Sequence, residues 1–177
     1  MKSAVEQLST YKSVHLNPSN ITTHFFGVPL IVWSAFLALN LIPVNFIVLD
    51  SPYLNINIAT IIAVLSLVYY FVLHAKLAVG LALFMVPVLL SSAWIAQYDG
   101  AGYIAIVTFV VGWIIQFVGH KYEKAKPAFI DDLNQLLIGP FFLMAEVYFK
   151  MGLEQALLAE ITPLARDKRR AIEAAKK

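Results

Sequence analysis

Four histidines carry most of the chemistry open to this sequence, and three of them sit in two short polar stretches. His120 lies in GWIIQFVGHKYEKAKPA (residues 112–128), where an apolar run gives way to charge. In helical spacing Gln116, four residues earlier, and Glu123, three later, project from the same face. His15 and His24 bracket HLNPSNITTH, and Asn20 stands four residues before His24, placed to hydrogen-bond its ring. Clusters of histidine and carboxylate suit iron, zinc, copper or manganese, and a site with three protein ligands and open positions is one that does chemistry. His15, His24 and His120 form the preferred ligand set. Glu123 either completes the shell or orients a ring by accepting its second N–H. His74 closes another apolar run beside Tyr70 and Lys76, where an interfacial histidine needs no metal, so it stands only as an additional candidate. Glu146, set among Phe141, Met144 and Val147, must be paired or functional. Lys150 follows it by four residues in the favourable order, so a salt bridge competes with a catalytic role there.

The elements that must position these residues are read from hydropathy. Of 177 residues 60% are hydrophobic and 14% charged, a balance that belongs to an integral membrane protein rather than a soluble domain. Several apolar runs approach the roughly 20 residues that a helix needs to cross a bilayer core. Residues 1–16 fit a short surface helix with Val5, Leu8, Tyr11 and His15 on one side. This stretch is polar and carries an acid, unlike a cleaved secretion signal. Asn17 followed by Pro18 starts a helix. Spans are expected over residues 25–42, 56–73, 77–95 and 102–118, with loops holding Asp50 with Pro52, and Asp99. The 56–73 and 77–95 runs are so close that they must form a tight hairpin. Lys126 before Pro127 marks a break, and Asp131 and Asp132 suit the start of the next helix.

Charge bias then sets topology. With Lys2 and Lys12 cytoplasmic, Asp50 and Asp99 face out, and Lys76, Lys121, Lys124 and Lys126 face in. A fifth crossing would put Arg166, Lys168, Arg169 and Arg170 outside, so residues 133–151 are expected to form a re-entrant or hairpin segment. The expectation is an all-α integral membrane protein, a bundle of about four transmembrane helices plus that C-terminal apolar segment. Residues 1–161 make one membrane domain carrying the metal site, and residues 162–177 a charged cytoplasmic tail, an exposed helix or a disordered end. All four histidines then fall at the cytoplasmic face.

Other chemistries find little support. The absence of cysteine excludes disulfides and thiolate ligands. A formal charge of +2, with basic residues gathered in the tail, argues against a nucleic-acid partner and for a membrane surface. There is no glycine-rich phosphate loop, nucleophile elbow or zincin helix.

The stretches HLNPSNITTHFFGVPL and GWIIQFVGHKYEKAKPAFIDDLNQLLIGPFFLMAEVYFKMG resemble the membrane 2-hydroxy fatty acid dioxygenases that act in phytosphingosine breakdown to odd-chain fatty acids. The combination of H-x-N-P-x-N-x-x-x-H with Q-F-x-G-H-x-x-E carries the resemblance. It implies an iron(II) enzyme that uses molecular oxygen to shorten a 2-hydroxy fatty acid by one carbon in α-oxidation. By position His15, His24 and His120 match the family's histidines, and Glu123, Lys126, Pro127, Asp132 and Glu146 its other polar landmarks, with Glu123 and Lys126 the catalytic candidates. His74 matches none. Lys121 and Lys126 are candidates to receive the substrate carboxylate, and Lys124 to meet anionic membrane lipid. The implied membrane is the endoplasmic reticulum in a eukaryote or the inner membrane in a bacterium. Two other readings stand beside this one: a non-enzymatic haem or metal-binding membrane subunit, and a small transporter with Glu146 as its ion site.

Overall fold

The computed structural model describes residues 2–47, 55–130 and 132–175, so the expectations for Asp50, Pro52 and Asp131 lie outside the described residues. Among the described residues seven α-helices follow one another: α1 (Ala4–Ser13), α2 (Pro18–Asn40), α3 (Ile58–Leu73), α4 (Ala75–Ile95), α5 (Ala101–Glu123), α6 (Gln135–Lys150) and α7 (Gln155–Ala174). The all-α membrane class is therefore correct. The chain forms two compact units, one of Phe26–Ile115 and one of Met1–Phe25 with Gln116–Lys177; the first passage between them falls within α2 and the second within α5.

Unit Phe26–Ile115 is the apolar one. Among the described residues, α2, α4 and α5 are long and apolar enough to cross a membrane, whereas α3, expected as a fourth span, has 16 residues. Its helices meet through small residues: Ala59 and Ala63, one turn apart, are fully buried with Phe36, Met85 and Val88. At Gly112 a Cβ would stand 2.8 Å from the Ile31 side chain and 3.1 Å from the Gly27 carbonyl, so only glycine permits that approach of α5 to α2. Trp33 donates to Ser91 at 2.9 Å and Asn40 to Ser92 at 3.0 Å, which satisfies polar groups inside an apolar bundle. The expected tight hairpin is a single residue, His74, lying between α3 and α4. Part of the stretch read as a plain loop is ordered: β1 (Asn45–Ile47) pairs antiparallel with β2 (Ile56–Asn57).

The second unit gathers both chain ends. Helix α1, expected on the surface, is buried along Leu8, Tyr11, Gln7, Ser9 and Lys12, because its polar groups find partners far away in sequence. Gln135 donates to Gln7 at 2.8 Å, and Lys168 donates to Ser9 Oγ at 2.9 Å and to Thr10 Oγ1 at 2.6 Å. Helix α5 runs five residues beyond its expected end. It stops where Lys124 takes a left-handed conformation (φ 55°), just before Pro127. Asp132 accepts from Asn134 N at 3.0 Å ahead of α6, whose Ile138, Phe141 and Phe142 are fully buried. The boundary expected after residue 161 falls inside α7. That helix is neither a disordered end nor wholly exposed: Leu157, Ile161 and Ala165 form a buried stripe at a spacing of four, and Arg169 continues it.

Candidate metal centre

Each histidine of the preferred set sits where a helix begins or ends. His15 follows α1 by two residues, His24 lies in the second turn of α2 and His120 in the last turn of α5. Asn17 Oδ1 accepts from Ser19 N at 2.9 Å, so the Asn-Pro pair starts α2 as expected. All three rings are buried and lie in one unit. Their centroids are 4.4, 4.9 and 5.1 Å apart, and every pair stands nearly edge to face. One ligating atom from each lies within 4.8 Å of the others.

The tautomers follow from the partners. His15 Nδ1 lies 2.6 Å from the Tyr11 carbonyl and His24 Nδ1 2.8 Å from the Asn20 carbonyl; a carbonyl can only accept, so both protons are on Nδ1. Both Nε2 atoms then carry bare lone pairs, and they face each other at 2.9 Å. Burial first, then the neighbouring His24 and His120, hold His15 well below the usual histidine range, so a proton shared between them is disfavoured. Among the described residues His120 Nδ1 is buried with no hydrogen-bond partner. A cation that takes lone pairs from all three rings fits this arrangement. Metal–nitrogen bonds of about 2.1 Å place two ligand atoms about 3.0 Å apart at a right angle and about 3.4 Å apart at a tetrahedral angle. The 2.9 Å between the two Nε2 atoms is close to these separations, so both could hold one ion.

Around them Tyr11 stacks on His15 with centroids 4.1 Å apart and planes within 2°, and Phe142 packs on both. Buried Glu123 does not orient a ring. Its Oε1 accepts from Arg169 at 2.8 Å, and its Oε2 from Asn17 N at 2.8 Å and Asn20 Nδ2 at 3.2 Å. Asn20 also departs from expectation, since its backbone carbonyl serves His24 while its side chain donates to Val14 O and to Glu123. Asn20 Oδ1 and Gln116 Nε2 are buried without hydrogen-bond partners among the described residues. A Cβ on Gly119 would collide with Thr23 Oγ1 and Asn20 Oδ1, so glycine lets the last turn of α5 close on the first turns of α2.

Glu146 pairs with Lys12 at 2.7 Å rather than with Lys150, because α6 packs against α1; Lys150 lies 4.5 Å over the Phe25 ring instead. Lys121 and Lys126 are exposed on the same unit. His74 belongs to the other unit, where its ring accepts from Leu77 N at the start of α4. Sequence reasoning missed Arg169, Lys12, Tyr11 and Phe142. The Tyr11 carbonyl had a signal, for it stands four residues before His15 as Asn20 does before His24. Arg169 had none, being one cation in a charged tail.

The family model described as 2-hydroxy-palmitic acid dioxygenase Mpo1-like matches residues 1–151. The chain is 35% identical over 158 residues to the 2-hydroxy-palmitic acid dioxygenase MPO1 of Saccharomyces cerevisiae, covering 88% of this chain and 85% of the yeast protein. No solved structure matches it significantly.

Proposed function

Because the chain belongs to the Mpo1-like family of 2-hydroxy-palmitic acid dioxygenases, we propose that it is an iron(II)-dependent dioxygenase that shortens 2-hydroxy fatty acids by one carbon with molecular oxygen, at the cytoplasmic face of its membrane. The observation that carries the metal reading is the pair of bare Nε2 atoms 2.9 Å apart, each fixed by a carbonyl on the far side of its ring, beside an unpartnered His120 Nδ1. When bound, iron(II) supplies the redox and Lewis-acid chemistry that activates oxygen. Removing C1 as carbon dioxide while C2 goes from alcohol to acid is a four-electron oxidation. One oxygen molecule balances it with release of one water, and no further oxidant is needed.

The chain's own residues prepare the site. The carbonyls of Tyr11 and Asn20 fix the tautomer of the two imidazoles, with Nε2 presented as ligand. Tyr11 and Phe142 wall it against water. Lys121 and Lys126 meet the substrate carboxylate at the headgroup layer, Lys124 meets anionic lipid, and the acyl chain buries at about 0.8 kcal/mol per methylene. Glu123 serves by holding the start of α2 rather than by moving a proton. The acids produced in sphingoid-base breakdown are the substrate class that the family points to, and the host membrane is endoplasmic reticulum or bacterial inner membrane.

The test is the metal content of anaerobically purified protein, wild type beside His120→Ala, followed by oxygen uptake on addition of a 2-hydroxy fatty acid and iron(II). Near-stoichiometric iron that is lost in the variant, with substrate-dependent uptake, is the expected result. Uptake without specific metal, or neither, overturns the proposal.

A further inference from the structure

Three chain segments must arrive together to assemble the histidines; one guanidinium reaches two of them directly and the third through Glu123. Helix α1 ends at Ser13, two residues before His15, and α5 ends at Glu123, three residues after His120. The last carbonyls of a helix have no partner within it. Arg169 of α7 donates to both end residues: Nη2 to the Glu123 carbonyl at 2.9 Å, and Nη1 to the Ser13 carbonyl at a longer 3.4 Å. Positive charge is favoured at both helix ends by their dipoles. Nη1 also pairs with Glu123 Oε1 at 2.8 Å, and the other carboxylate oxygen accepts from Asn17 N and Asn20 Nδ2 at the start of α2. The Asn20 carbonyl in turn holds His24 Nδ1. Glu173, one turn further along α7, binds Arg169 Nε at 2.6 Å and fixes the plane of the fork. A lysine ammonium can pair with Glu123 but cannot present the planar fork that serves two helix ends at once.

We propose that Arg169 is a positioning residue of the metal centre, and that α7, which lies beyond the family match ending at residue 151, is a working part of the site rather than a tail. The inference rests on the metal-centre reading above. Its strength is set by what outer contacts do elsewhere: their loss weakens metal binding by roughly 10- to 100-fold.

The experiment uses the full chain in detergent, stripped of metal and titrated anaerobically with iron(II), with cobalt(II) as an oxygen-stable stand-in. The melting temperature is recorded with and without metal for wild type, R169Q, R169K and R170Q. A ligand that binds only the folded state raises the melting temperature according to its affinity, so the metal-induced increment separates site geometry from bulk stability. The expected result is a smaller increment in R169Q, equivalent to a loss of affinity of at least about tenfold, an intermediate one in R169K, and an unchanged one in R170Q, whose side chain is exposed and bonded to Asp167 within α7. If R169Q does not purify folded, R169K carries the same test. Equal lowering of both melting temperatures, with the wild-type increment retained, makes Arg169 a strut and overturns the inference while leaving the metal centre standing. No increment in wild type overturns the metal reading, and this inference with it.

Discussion

At the scale of single residues, the informative groups are buried and polar. Lys12 and Glu146 form an ion pair at 2.7 Å with side chains about one-tenth exposed, and the Lys12 ammonium lies 5.6 Å from the Phe142 ring centroid. Taking one partner away leaves a buried charge uncompensated, which costs about 3–5 kcal/mol, whereas replacing both by apolar groups is often nearly neutral. Lys12→Met is therefore expected to destabilise the protein by about that amount and K12M/E146L by much less, as measured by denaturant unfolding in detergent. A double variant as unstable as the single one would show that the pair does something other than neutralise itself. At the site, His24→Ala removes a ring while leaving the Asn20 contacts to Val14 and Glu123 in place. Loss of bound metal without a comparable loss of metal-free stability is expected, read by metal analysis beside the melting temperature. The three histidines were legible because their types and positions at segment ends carry chemistry without any knowledge of packing. The true partner of Glu146 was not, since Lys150 satisfies a helical rule and Lys12 is 134 residues away.

At the scale of elements, close helix approach is the controlling quantity. The last turn of α5 meets α2 through Gly119, where a methyl group would overlap Thr23 Oγ1 and Asn20 Oδ1. Gly119→Ala must push these two histidine-bearing turns apart, and overpacking of this kind costs about 1–3 kcal/mol. Lower thermal stability together with weaker metal binding is expected, measured by metal titration; unchanged binding would mean that the turns can separate without disturbing the rings. Ile161 is fully buried in the α7 stripe, and Ile161→Ala should cost about 2–5 kcal/mol if α7 is an integral element. Helix boundaries in the apolar runs were readable from hydropathy to within a few residues. The burial of α1 and α7 was not, for a physical reason. Both are rich in polar and charged residues, and Gln7, Ser9, Thr10, Lys12, Lys168 and Arg169 enter the interior only because each meets a partner that is remote in sequence. A pattern read along one helix cannot see such partners.

At the scale of the whole molecule, the chain offers a direct way to read which membrane face each segment meets. It has no cysteine, so a single introduced thiol is the only one present. The charge bias places Lys124 and Arg166 in the cytoplasm and Asp99 on the opposite side. Both basic positions belong to the unit that holds the histidines, on either side of α6 in the sequence. If α6 turns back without crossing, Lys124→Cys and Arg166→Cys must be labelled from the same side by a thiol reagent that cannot cross a bilayer. In sealed vesicles of known orientation, both should react only when the cytoplasmic face is accessible, and Asp99→Cys only when the other face is. All three side chains are exposed, so differences in labelling report the membrane and not burial. Labelling of Lys124→Cys and Arg166→Cys from opposite faces would require α6, 16 residues with Glu146 bound to Lys12, to be a full crossing. That outcome would put α7 and Arg169 across the bilayer from the α5 end they are bonded to, an arrangement those bonds forbid. The labelling therefore tests topology and site together: a re-entrant course of α6, as the charge bias predicts, would let the C-terminal helix return to the face of the α5 end to which Arg169 is bonded.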